Sequence, residues 1–267
     1  MVKGLYTAYT GMVQEQKRMD VITNNLANFN TTGYKKEGLT SQAFDEQLAL
    51  KIKDFTDAPL TARRIGYITP GVKIGQGYTD WSEGPMRETN NTYDLAIAGD
   101  GFFTIEYTNK AVNIERDLAN VTTTMYTRDG NFTLTSEGVL TTQDGDFVLD
   151  NAGGHITLDP NLQTQINVNG DIIQDGEVVA TLGIADFEDY DYLQHYGENY
   201  WYTIDGFTEK DFEGQVYAGF LEQSNVSVVD EMVNMIAVQR NYETNQKMIT
   251  TIDETLDKTV NQVGVLS

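Results

Sequence analysis

A chain of 267 residues is long enough to bury a proper core and to hold one large domain or two of ordinary size. Hydrophobic residues at 40%, with 15 Tyr and 11 Phe, exclude a chain disordered as a whole, and 24 Gly against 4 Pro point to many tight turns. The formal net charge of -22 is uneven: residues 1–37 carry five Lys/Arg against three Asp/Glu, residues 38–221 ten against thirty, and residues 222–267 three against seven. Phosphates need clustered Lys/Arg, so this distribution excludes nucleic acid and anionic membrane surfaces as partners.

Cysteine is absent, which removes disulfides, thiolate metal sites and cysteine nucleophiles. Gly4, Thr7, Thr10, Gln14 and Glu15 interrupt any apolar signal core near the start, and no stretch approaches the roughly 18 apolar residues of a membrane span. On these rules the chain is cytoplasmic, unless it leaves the cell by a route that reads no cleaved apolar signal.

In chain order, Leu5, Met12, Met19 and Leu26 recur every seven residues, with Ala8, Ile22 and Phe29 between them and Glu15 as the one break. This predicts a helix with one apolar stripe, closed by Asn28-Phe29-Asn30-Thr31-Thr32-Gly33, a run of poor helix formers ending in a residue suited to left-handed backbone. Residues 38–90 show no clear period and contain Pro59, Pro70 and Pro85, so few elements are expected and 34–90 reads as an extended connecting segment. From about residue 91 to 221 the pattern predicts an antiparallel β domain. Short runs such as Asp94–Ala98, Phe102–Glu106, Asn131–Leu134 and Glu177–Ala180 surround Asp129-Gly130, Asp144-Gly145, Asn169-Gly170 and Asp175-Gly176, dipeptides that favour positive φ in hairpin loops.

The last region is the most regular. Val228, Met235, Tyr242, Ile249, Leu256 and Val263 fall at an unbroken spacing of seven, with Met232, Ile252 and Val260 beside them, and Ser227 followed by Asp230 and Glu231 marks the helix start. Gly4 and Gly11 each cost the first helix up to about 1 kcal/mol against Ala, so that helix needs a partner, and the C-terminal stripe supplies one. The expected fold is α+β: residues 1–33 and 222–267 form a coiled-coil-like helical assembly domain, and 91–221 a central β domain.

No constellation of catalytic residues emerges. Gly99-Asp100-Gly101 runs into Phe102-Phe103 in strand context and reads as a turn, not a phosphate loop. Asp144, Asp146 and Asp150 lack the flanking helices and terminal Glu of a calcium loop, and His155 and His195 have no partner at metal-ligand spacing. The aromatic group Tyr190, Tyr192, Tyr196, Tyr200, Trp201 and Tyr202 leaves open a carbohydrate-binding module acting on peptidoglycan, beside the plainer reading of strand-core or subunit contacts.

Four motifs in order resemble the bacterial flagellar basal-body rod and hook proteins. They are Asn24-Asn25-Leu26-Ala27-Asn28-Phe29-Asn30-Thr31-Thr32-Gly33-Tyr34-Lys35, then Asp94 to Phe103 as a first strand pair, Tyr126 to Phe132 as a next hairpin, and Leu221 to Val226 continuing through Met235, Gln239 to Glu243 and Asn245. Tyr34, Asp150 and Asn241 depart from the family's usual Phe, Gly and Ala. The length and Gly71-Val72-Lys73-Ile74-Gly75-Gln76-Gly77 resemble the distal rod type, with proximal rod or a hook-type axial subunit as alternatives.

The resemblance implies a structural subunit and no enzyme, with no cofactor and no metal. It implies export across the cytoplasmic membrane into the cell envelope by the flagellar type III apparatus, without signal cleavage and without insertion into lipid. It implies a helical homopolymer in the basal body that meets other rod and hook proteins and the rings around the rod. The residues expected to act are assembly contacts: Leu5, Met12, Met19, Ile22 and Leu26 against Val228, Met235, Tyr242, Ile249 and Leu256. Asn24, Asn25, Asn28 and Gly33 are expected to shape the turn out of the first helix.

Overall fold

The computed structural model describes residues 2–51, 63–107, 123–197 and 199–263. The fold is α+β, with paired terminal helices and a central antiparallel β domain. The chain divides into two compact units: Met1–Ala27, Glu37–Asp80 and Ser227–Ser267 form the first, and Asn28–Lys36 with Trp81–Val226 the second.

In the first unit, helix α1 (Val2–Ala27) packs against helix α2 (Val228–Lys258). The pairing is antiparallel: a Cβ on Gly4 would lie 3.6 Å from Ile252 and one on Gly11 3.0 Å from Asn245, so one index rises as the other falls. Helix α2 begins as its sequence foretells, with the Ser227 hydroxyl accepting the Asp230 amide and Asp230 and Glu231 at the positive end of the helix dipole.

Residues 37–80 correct the expectation of a connecting segment with few elements. Strand Glu37–Ala43 pairs antiparallel with Val72–Thr79, and beyond it Gln47–Lys51 pairs with Arg63–Ile68, forming a long two-stranded ribbon. This ribbon belongs with the helices, not with a separate linker: it packs on α1, where Thr7 Oγ1 donates to the Pro70 carbonyl at 3.1 Å and the Gln14 amide meets Ser41 Oγ. Pro59 lies outside the described residues.

The second unit is antiparallel throughout. Its main sheet runs Leu193–Tyr196, Tyr200–Thr203, Thr123–Thr127, Phe102–Tyr107, Phe147–Val148, Leu140–Thr142 and Phe132–Leu134, with Ile184–Phe187 added beside Phe102–Tyr107. A three-stranded sheet (Thr164–Ile166, Asp171–Gln174, Glu177–Thr181) stands apart. Alternation along one strand serves two cores: Phe103 enters the larger one with Leu95, Phe132, Leu140 and Ile172, while its neighbour Phe102 enters a second with Tyr126, Phe187 and Trp201.

Two hairpin expectations fail in this unit. Leu95–Ala98 pairs with Gln215–Ala218 and not with Phe102–Tyr107. Asp175-Gly176 has φ of 52° and 85° and closes a true two-residue hairpin, but Asp129-Gly130 joins strands that do not pair with each other. Gly130 is required there for close approach, because a Cβ would stand 1.7 Å from the Leu95 carbonyl oxygen.

Candidate assembly surface

The α1·α2 seam is built by a 3-4 alternation. On α1 the covered positions are Leu5, Ala8, Met12, Glu15, Met19, Ile22 and Leu26, with Ala8 and Ile22 buried. On α2 they are Val228, Glu231, Met235, Val238, Tyr242, Asn245, Ile249, Ile252 and Leu256, with Glu231 and Val238 buried. The ten residues expected as assembly contacts fall on these rows, each half-buried or buried. The second row on α2 differs in part from expectation: Ile252 is half-buried as expected, but Met232 and Val260 face outward, 52% and 66% exposed, and the row passes through Glu231, Val238 and Asn245. The side chain of Val263 lies outside the described residues. Glu15, the break in the α1 stripe, keeps its carboxylate near the seam edge, 3.4 Å from the Arg18 guanidinium.

Gly4 and Gly11 are part of this seam. Gly11 faces the Asn245 amide so closely that even a methyl would press on it, whereas a methyl at Gly4 would meet Ile252 at ordinary contact distance. The helix propensity lost at Gly11 is thus exchanged for close packing.

The N-terminal motif divides its work. Asn25 is buried, and its amide forms a two-bond clamp on Glu37, donating to the carbonyl at 2.8 Å and accepting the amide at 3.0 Å, which fixes the end of α1 to the start of the ribbon. Asn24 stands exposed on the last turn of α1. In the second unit, Asn28 accepts both from the Thr31 amide through its carbonyl and from the Thr31 hydroxyl through its side chain. Gly33 takes φ of +68° and donates its amide to the Glu222 carbonyl at 2.9 Å.

Beside Gly33, the second unit holds a charged cluster that sequence reasoning assigned no role. Lys35 Nζ lies 2.6 Å from Glu222 Oε1, and Arg128 Nη1 lies 3.2 Å from Glu222 Oε2, with all three side chains buried. Lys35 also donates to the Ser82 carbonyl, Gly84 donates its amide to Glu222, and Arg128 reaches the Gly99 carbonyl at 2.7 Å. Burial lowers the Lys35 pKa most strongly and the Arg128 charge lowers it further, against the pull of Glu222. The three residues lie in three of the four motifs quoted above, where each reads as an ordinary charge among polar neighbours.

Several of the side chains that suggested other chemistry have structural partners, while Tyr192 and Tyr196 are exposed. Trp201, 2% exposed, packs in the second core with Trp81 at 5.5 Å, so it presents no face to a sugar. Asp150 Oδ1 accepts the Ala152 and Gly154 amides in a turn, and the Tyr200 hydroxyl donates to Asp144 and Asp146. His155 stacks on Phe147 and meets Glu106. Among the described residues no group of three or more His, Asp or Glu is placed to hold a metal ion, and no helix is long and apolar enough to cross a membrane.

Among the described residues the architecture is an antiparallel pair of terminal helices and an antiparallel β unit in which Asp129, Asp144, Asp146 and Asp150 accept hydrogen bonds. Three family profiles match along the chain: the flagella basal body rod protein profile over residues 5–35, the D1 domain of the flagellar hook proteins FlgE/F/G over 96–180, and the C-terminal profile of the rod proteins FlgEFG over 217–263. The flagellar basal-body rod protein FlgG of Bacillus subtilis is 34% identical over 98% of this chain and 99% of its own length. The rod protein FlgF of Caulobacter vibrioides is 32% identical over the full length of both, and the hook-basal body complex protein FlhO of Bacillus subtilis 28% over 99% of each. The chain belongs to the flagellar basal-body rod and hook protein family, whose members are structural components of the flagellar axis.

Proposed function

We propose that the chain is a subunit of the flagellar basal-body rod, of the distal type, that polymerises through its terminal helices into the drive shaft. In that role the polymer transmits torque and encloses the export channel. Its partners are further copies of itself, neighbouring rod and hook proteins, the flagellar type III apparatus that exports it into the envelope, and the rings around the rod. The observation that supports this reading is the pairing of α1 with α2, on which the residues expected as contacts are buried or half-buried. Length and the Gly71–Gly77 segment favour the distal type, with the proximal type as the second reading.

The two types are separated by expression in flagellated bacteria that lack one rod protein. Recovery of swimming in cells without the distal subunit alone is the expected result. Recovery only in cells without a proximal subunit reverses the assignment, and recovery in neither counts against a rod role.

A further inference from the structure

Among the described residues, the helix pair carries two clusters of exposed apolar side chains that its own seam does not use. On α2, Val229, Met232, Val233 and Ile236 stand at spacing i, i+3, i+4 and i+7 on the face turned away from α1, each more than half exposed. Further along, the same outward face becomes polar through Gln239, Arg240, Glu243 and Lys247. On α1 the outward face begins with Tyr6 and Tyr9, about half exposed, and continues as Gln16, Lys17 and Asp20. Each patch is therefore confined to one end of its helix.

The antiparallel register decides where these ends lie. Gly4 opposite Ile252 and Gly11 opposite Asn245 put Tyr9 level with Lys247, so the two patches sit at opposite ends of the helix pair. At 1.5 Å per residue, Val233 and Tyr9 are roughly 20 Å apart along the pair. Their chemistry is also unlike. The first is aliphatic and adjoins Asp230, with no base between residues 228 and 236; the second is aromatic and adjoins Lys3, with no acid between residues 2 and 14. A patch set against its own kind would bring like charges together, whereas one set against the other brings opposite charges together.

We propose that copies of the chain join head to tail, the aliphatic stripe at the start of α2 in one copy seating on the Tyr6–Tyr9 face of α1 in the next. The inference rests on the polymerising role proposed above and adds the contact and its mode. Two unlike patches displaced along one body make a heterologous contact, which repeats into an open polymer and does not close into a two-fold dimer. Six side chains make a contact smaller than a stable dimer requires, so the polymer holds by repetition.

The absence of cysteine makes this directly testable. The full chain is prepared as two single variants, Val233→Cys and Tyr9→Cys, which are mixed under assembling conditions, oxidised, and read by peptide mass spectrometry of the sedimented polymer. The mixed 9–233 disulfide is expected to exceed both self-linked species. Dominance of 233–233 or 9–9 links overturns the proposal, as does a polymer with no 9–233 link; in that last case the polymerising role itself stands. No polymer from the unsubstituted chain at any concentration sinks that role and the proposal together. As an independent check, Val233→Asp is expected to raise the critical concentration at least about tenfold with helix content unchanged by circular dichroism, since it removes burial of one apolar side chain. An unchanged critical concentration contradicts the proposal.

Discussion

Lys35 Nζ and Glu222 Oε1 meet at 2.6 Å, fully shielded from water, although 187 residues separate them in sequence. The contact closes the second unit on itself, joining the end of the N-terminal motif to the strand just before the C-terminal helix. Arg128 from the middle of the chain holds the other carboxylate oxygen.

The three charges are not equivalent, and this sets the first prediction. Removing Glu222 leaves two buried cations facing each other, whereas removing Lys35 leaves an intact Arg128–Glu222 pair. Glu222→Gln should therefore destabilise the second unit by about 3–5 kcal/mol, and Lys35→Met by clearly less. Urea unfolding followed by Trp201 fluorescence compares them, and equal losses would refute a cluster centred on the carboxylate.

Asp129 gives a pH prediction. Burial raises its pKa above the ordinary 3.8, outweighing the hydrogen bonds from Thr32 and the Asn131 amide. A carboxyl raised on folding contributes stability below its unfolded pKa and loses it as pH rises through the folded value. Asp129→Asn retains an acceptor oxygen for Thr32 and Asn131, so the variant should match the parent near pH 3 and be more stable than it at pH 7. Thermal melts at the two pH values check this, and a variant less stable at pH 7 would show that the charge is stabilising.

Gly33 combines positive φ with close approach, since a Cβ would stand 2.5 Å from the Arg128 carbonyl carbon. Gly33→Ala should cost more than the roughly 1 kcal/mol of conformation alone, because backbone and not a flexible side chain stands in the way. A measured loss below that figure would mean that the turn relaxes freely.

In the seam, Gly11→Leu forces a side chain into the space held by Asn245 and should weaken helix pairing by about 1–3 kcal/mol. Far-ultraviolet circular dichroism during heating should show earlier loss of helix with the β unit unaffected. Coincident loss of both would indicate that the pair does not melt by itself.

Much of this structure was legible because it is periodic. Val228 to Leu256 announces α2, and Ser227 with Asp230 announces its start. The second row of α2 was not legible, because Glu231 and Asn245 carry no apolar signal and are recognisable only once α1 lies against them. The ribbon from Glu37 to Thr79 escaped for a different reason: Tyr67, Ile74 and Tyr78 are exposed, so its strands are held by backbone pairing and by α1, and show little alternation. Lys35, Arg128 and Glu222 are ordinary charges along the chain and become a cluster only through long-range closure. Asp129-Gly130 shows that a hairpin dipeptide reports a need for glycine without saying whether conformation or space creates it.

The central claim is that the helix pair is the device of assembly, and sedimentation of the purified full chain over a concentration series, beside Ile249→Asp and Tyr242→Asp, tests it most directly. Both side chains sit in the seam, half-buried against α1. The parent should form large polymers above a critical concentration, while both variants remain small with the β unit folded by near-ultraviolet circular dichroism. Polymers of undiminished size from either variant would contradict the account, because assembly would then not need an intact helix pair.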